Sequence, residues 1–236
     1  MTDLTPTTPS SSTATLPEAV LWDMDGTIVD TEPYWMRAET ELIESYGGTW
    51  THDDGLTVVG MGLRDAATIF QSRGVTLAVD DIIQWMTTRV LEQVAVEVPW
   101  RPGARELLAD LREHGVRTAL VTMSVHRMAV QIVEAIGFDA FDVVVGGDDV
   151  ELPKPHPAPY LHAAALLGVP IERCVAIEDS APGLASAVAS GAATIAIPLH
   201  AALPDDGTHT QWTTLAGRST SDIAAVFSAH TAAAIA

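Results

Sequence analysis

Positive charge is scarce in this chain. Of 236 residues only 12 are Lys or Arg, against 31 Asp or Glu, for a formal charge of -19. Adsorption to DNA, RNA or anionic lipid depends on clustered cations, so neither nucleic acid nor a membrane surface is an expected partner. Cysteine occurs once, so no internal disulfide is possible, and Cys174 lies in the apolar run Cys174-Val175-Ala176-Ile177 and reads as a buried structural thiol. Long apolar runs are missing too. Stretches such as 192–199 fall far short of the roughly 20 residues a bilayer needs, and no charged start leads into an apolar secretory core. A soluble, cytoplasmic protein is expected. Lysine occurs once, at Lys154, the eleven other cations being arginines. A composition that otherwise avoids lysine has kept one there.

What the chain does contain is 47% hydrophobic residues, enough for a sizeable core in one or two domains. Residues 1–16 are mostly Thr, Ser and Pro, a composition that cannot offset its own ordering entropy and is expected to be a disordered tail. Short apolar runs ending in polar residues then recur at 19–22, 116–121, 142–145, 174–177 and 193–197, the pattern of buried parallel strands. Stretches of helical periodicity lie between them at 102–114, 127–136, 157–167 and 181–190. This alternation predicts an α/β fold with a doubly wound parallel sheet. Far more residues separate the first two strands than the dozen or so a crossover needs. Periodic segments at 34–46, 63–73 and 80–96 fill the interval and predict an inserted small α-helical cap domain at 33–99. The core is then 17–32 with 100–236, ending in a helix over 223–236. The loop Gly60-Met61-Gly62 is placed to reach back over the sheet.

Open α/β sheets bind ligands beyond the carboxyl ends of their strands. Those ends carry Asp23-Met24-Asp25-Gly26-Thr27, then Thr122-Met123-Ser124, then Lys154-Pro155, then Glu178-Asp179-Ser180. Two aspartates at i and i+2 can face one site only if the chain coils at once, which Gly26 permits. A plain Asp/Gly turn is the competing account, but four loops in register supply acids, a hydroxyl and a lysine to one place. The net negative charge would repel a phosphorylated substrate unless a bound cation and local positive groups reverse the field.

The four motifs, in order over about 20–199, resemble the haloacid dehalogenase superfamily of phosphohydrolases, in its branch with a helical cap after the first strand. Asp30-Thr31-Glu32-Pro33 and Glu178-Asp179-Ser180-Ala181-Pro182-Gly183 are similar to the subgroup of sugar-phosphate phosphatases and β-phosphoglucomutase. The resemblance implies a Mg²⁺-dependent phosphatase acting on a small phosphorylated metabolite, a sugar or polyol phosphate. It implies Asp23 as nucleophile forming an aspartyl-phosphate, Asp25 as general acid and base, and Thr122 and Lys154 as phosphate-binding groups. It also implies Asp23, the main-chain carbonyl of Asp25, Asp179 and Glu178 as metal ligands, oxygen donors that suit Mg²⁺. A solvated loop acid is the competing account of Glu178, and an ordinary strand end that of Thr122. A monomer is expected.

The chain departs from the family pattern at Pro153, where a glycine or serine usually precedes the lysine, and at Ala158, where an acid is common; the following helix is expected to be capped differently. His156 reads as a solvent-facing loop residue. Asp25 argues against dehalogenase activity, which has no leaving group to protonate. The absence of lysine from the cap excludes Schiff-base cleavage of phosphonates. A sugar phosphomutase is the runner-up, because it shares the catalytic residues but presents a cap histidine where this chain has Trp35. A regulatory module with a dead site is disfavoured by the intact Asp23, Asp25, Lys154 and Asp179. Trp35 and Arg64 are candidate substrate contacts, with cap core and a solvated helix position as their alternatives.

Overall fold

The computed structural model describes residues 15–59 and 61–235; most of the tail expected at 1–16, and Gly60, lie outside them. Six parallel strands form one sheet: β1 (Ala19–Trp22), β2 (Arg117–Val121), β3 (Val143–Val145), β4 (Cys174–Glu178), β5 (Ala193–Ala196) and β6 (Thr210–Gln211), in the order β3-β2-β1-β4-β5-β6. From β1 the chain first builds outward to β2 and β3, then returns to build β4, β5 and β6 on the other side. The order therefore reverses between β1 and β4, where the strand ends splay and leave a crevice.

Side chains alternate across a strand, and β1 follows this rule closely. Val20 and Trp22 join one core cluster with helices α5 (Ala104–Glu113), α6 (His126–Ile136) and α9 (Thr220–Ile235). Ala19 and Leu21 join another with α7 (Ala158–Leu167) and α8 (Ala181–Ser190). All four β1 residues are fully buried, which is why the strands read as continuous apolar runs.

Between β1 and α5 come α1 (Glu32–Ser45), α2 (His52–Leu56), α3 (Leu63–Ser72) and α4 (Val79–Val96). Their apolar faces meet through Ala38, Leu42, Ile43, Ala67, Phe70, Ile82, Met86 and Val90, all buried, and Trp50 packs edge-on against Phe70. The two chain crossings to these helices are tied together. Asp30 N donates to Pro99 O at 2.8 Å, Arg101 N to Ile28 O at 2.8 Å, and Val29 bridges Trp100. No helix among the described residues is long and apolar enough to cross a membrane.

Candidate active site

The crevice at the β1/β4 reversal gathers most of the residues picked out from the sequence. Asp23 follows β1 directly and is nearly buried. Its Oδ1 accepts from Lys154 Nζ at 2.7 Å, whereas Oδ2 is buried with no hydrogen-bond partner. Glu178 is not a solvated loop acid. It ends β4, pairs with Ala196 of β5 and is fully buried, because the ladder runs one residue further than its apolar run. Its Oε1 accepts from Lys154 Nζ at 2.6 Å and from the Tyr160 hydroxyl at 2.5 Å. Donor oxygens of Asp23, Glu178 and Asp179 all lie within 4.8 Å of one another.

Two glycines make this crowding possible. Gly26, at φ 85°, has no Cβ where one would stand 2.1 Å from Asp179 Oδ2; the left-handed conformation coils the chain after Asp25, as the D-x-D-G spacing requires. At Gly183, in the first turn of α8, a Cβ would stand 2.0 Å from Glu178 Oε2. The Ser180 hydroxyl caps that turn by accepting from Gly183 N at 3.2 Å.

Asp25 is bracketed by two hydroxyls, Thr31 Oγ1 donating to Oδ1 at 2.5 Å and Ser124 Oγ to Oδ2 at 2.9 Å. Thr122 is buried at the end of β2, where its Oγ1 accepts from Ser124 N at 3.0 Å. Lys154 completes its three donors with Val121 O at 2.8 Å. His156 sits at the surface, and its Nδ1 accepts from Ala158 N at 3.1 Å, so it supplies the cap that an acid at 158 would otherwise give.

Electrostatically the cluster is short of positive charge. Burial, reinforced by the charges of Asp23 and Glu178, raises the Asp179 carboxyl to about 8. Burial likewise raises Glu178 and Asp25 above the ordinary carboxylate range, with the charge of Asp23 acting in the same direction on each. Burial disfavours the Lys154 ammonium, but the carboxylates of Asp23 and Glu178 outweigh it and hold the pKa above the usual lysine value. Carboxyl groups that hold protons here are ones a divalent cation could discharge.

The remaining two sequence candidates are placed differently. Trp35 is half-buried and packs against the core cluster. Arg64 is solvent-exposed on α3 and paired with Asp80 at 2.8 Å. Four residues that sequence reasoning missed touch the cluster: Thr31, Ser124, Tyr160 and Arg101. Arg101 is buried and donates from Nη1 to Gly26 O at 2.7 Å. Ser124 and Thr31 lie inside the stretches Thr122-Met123-Ser124 and Asp30-Thr31-Glu32-Pro33, where their hydroxyls could have been found. Tyr160 reads as core helix and Arg101 as a residue before Pro102, so neither carries a signal. Two cavities of about 340 and 610 Å³ lie on the helical insertion, lined by groups such as Trp50 and Trp85 and by none of the clustered acids.

Residues 17–191 match the family model described as haloacid dehalogenase-like hydrolase. The chain is 32% identical over 179 residues to a phosphorylated carbohydrates phosphatase of Thermotoga maritima, covering 74% of this chain and 82% of that one. It is 29% identical over 184 residues to hexitol phosphatase B of Escherichia coli, covering 76% and 83%. The fold superposes on CbbY of Rhodobacter sphaeroides, solved with xylulose-1,5-bisphosphate, with a TM-score of 0.76, 29% identity and coverage of 86% and 96%.

Proposed function

The chain belongs to the haloacid dehalogenase-like hydrolases and is a phosphoric monoester hydrolase, and on that premise we propose that it is a Mg²⁺-dependent phosphatase of sugar or polyol phosphates working through an aspartyl-phosphate on Asp23. The observation that carries this reading is the bare Oδ2 of Asp23, buried beside the single lysine. An unsatisfied buried carboxylate oxygen is costly, and it is the oxygen left free to attack phosphorus.

A divalent cation fits the same place: hard oxygens of Asp23, Glu178 and Asp179 cluster there, and Gly26 and Gly183 leave their carboxylates room. These three side chains and the main-chain carbonyl of Asp25 would hold it. When bound, Mg²⁺ neutralises phosphoryl oxygens and orients the ester.

The chain's own groups account for the rest. Lys154, its three donors already placed on Asp23, Val121 and Glu178, supplies positive charge beside the phosphoryl oxygens, and the Thr122 hydroxyl donates to one of them. Asp23 Oδ2 attacks in line, the bond from phosphorus to the leaving oxygen breaks, and Asp25 gives that oxygen its proton. Asp25 then takes a proton from the water that attacks the aspartyl-phosphate. The bond from phosphorus to Asp23 breaks and inorganic phosphate leaves. Residues 33–99 act as a cap domain over the site. Within it Arg64, Arg73 and Arg89 are in ion pairs, whereas Arg37 lies over the Tyr34 ring and donates to Pro33 O.

The runner-up, a mutase, must shield its phospho-enzyme from water until a sugar intermediate reorients. Trp35 stands where such an enzyme presents a histidine and cannot relay a proton, so water should win. The test is a phosphate-release assay run beside a ³¹P NMR time course with a hexose phosphate. Expected are Mg²⁺-dependent release abolished by EDTA, loss of several orders of magnitude in Asp23→Asn, and no isomerised product. Conversion of β-glucose 1-phosphate to the 6-phosphate as the main reaction would promote the mutase, and undiminished turnover by Asp23→Asn would sink the mechanism.

A further inference from the structure

Glu178 offers two oxygens, and the chain treats them differently. Oε1 takes two close donors, Lys154 Nζ at 2.6 Å and the Tyr160 hydroxyl at 2.5 Å, while Oε2 has only the Ser180 hydroxyl at 3.3 Å. Tyr160 is fully buried on α7 among Ala119, Val121, Val145 and Ala176. A phenylalanine would fill that volume without burying a hydroxyl, which costs free energy unless it is bonded. The partner it has found is an acid of the active site. Its ring meanwhile lies 5.1 Å from Lys154 Nζ, within the range of a cation–π contact. One side chain thus touches both the acid and the cation.

We propose that Tyr160 is a positioning residue with two separable parts. Its O–H turns Glu178 so that Oε2 is the oxygen offered to the metal, and its ring steadies the Lys154 ammonium against Asp23. The inference rests on the proposed roles of Glu178 as metal ligand and Lys154 as phosphate-binding cation. It explains why three constraints meet on one carboxylate. Lys154 has spent all three donors, on Asp23, Val121 and Glu178, so it cannot also fix the second oxygen. Gly183 leaves space under the carboxylate without holding it. Tyr160 adds the second close donor and completes Oε1.

Two variants separate the parts: Tyr160→Phe removes only the hydroxyl, and pentafluorophenylalanine at 160 keeps the ring's shape while draining its π face. Mg²⁺ alone is titrated calorimetrically. At saturating Mg²⁺, inorganic phosphate is measured as an inhibitor of p-nitrophenyl phosphate hydrolysis. Tyr160→Phe should bind Mg²⁺ about tenfold more weakly, the loss of one hydrogen bond to a charged group, with phosphate inhibition within about twofold of wild type. The fluorinated variant should match it for Mg²⁺ and weaken phosphate by a further several-fold. Circular dichroism should be unchanged in both. Wild-type Mg²⁺ affinity in Tyr160→Phe, or Mg²⁺ and phosphate weakening together in that variant, would overturn the inference while leaving the phosphatase reading intact. A wild-type protein with no Mg²⁺-dependent turnover would sink that reading and this one with it.

Discussion

A methyl group at position 183 would lie 2.0 Å from Glu178 Oε2 and 2.1 Å from Oε1. Glu178 cannot retreat, since Lys154 and Tyr160 hold its other side. Alanine is ordinarily the better helix residue by about 1 kcal/mol, so the sign of Gly183→Ala decides between helix propensity and site geometry. We expect geometry to win: activity at least tenfold lower and a depressed thermal midpoint, read by phosphate release and scanning calorimetry. A more stable, fully active variant would show that Glu178 is not fixed. A second buried acid permits a test by pH. Glu39 accepts from Trp50 Nε1 at 3.0 Å, and burial raises its pKa above 4.5, the Trp50 bond opposing only in part. A folded-state pKa above the unfolded one means that the native protein holds the proton more tightly. That stability is fully present below the unfolded pKa and is lost as pH rises through the folded one. Glutamine keeps an acceptor without the charge, so Glu39→Gln should gain on wild type in urea midpoint as the pH climbs from the ordinary carboxyl value toward neutrality. Parallel curves for the two proteins would refute this.

Five of the six strands and most helices are legible because each obeys a local rule. The run at 19–22 is β1 to the residue, and the helix expected at 181–190 is α8 to the residue. The sequence places Glu178 just after the strand, because a charged residue ordinarily ends an apolar run, and only the pairing with β5 reveals it as the last strand residue. Helix α2 was not foreseen, although Thr51 and Asp54 form a capping box there; five residues are too few for periodicity to register. Strand β6 has two residues and no pattern at all. In the candidate site, the motif acids, Thr122 and Lys154 were legible from strand ends. Tyr160 and Arg101 were not, since their partners are 18 and 75 residues away in sequence. Arg101 belongs to the paired crossings that join insertion and core, where its side chain holds Gly26 O and its backbone holds Ile28 O. Arg101→Met keeps the stem but strands a buried carbonyl, a loss of about 1–3 kcal/mol, and removes a cation beside Asp179 and Asp30. Turnover should fall about tenfold or more with the far-ultraviolet circular dichroism unchanged. Wild-type turnover would mean that the crossings hold the motif-one turn without it.

Across the whole molecule the charge is -19, and three of its acids, Asp23, Glu178 and Asp179, bring donor oxygens within 4.8 Å of one another. A cation that binds only the folded chain stabilises it by about 2.7 kcal/mol at a hundred times its Kd. For a domain of this size that is about 5–10 °C in Tm. Added Mg²⁺ should therefore raise the melting temperature and EDTA should return it, while Asp179→Asn should melt higher than wild type without metal and respond little to Mg²⁺. A wild-type melting point indifferent to Mg²⁺ would remove the metal from the account. The same distribution of charge has a practical consequence. The chain has one lysine, and its side chain is only 3% exposed. Amine-directed reagents such as trinitrobenzenesulfonate therefore have a single side-chain target, and they reach it only when the crevice opens. Once the reaction of the α-amino group is subtracted, the absorbance such a reagent develops reports the release of Lys154 from its ion pairs with Asp23 and Glu178, read in unlabelled protein and without a substrate.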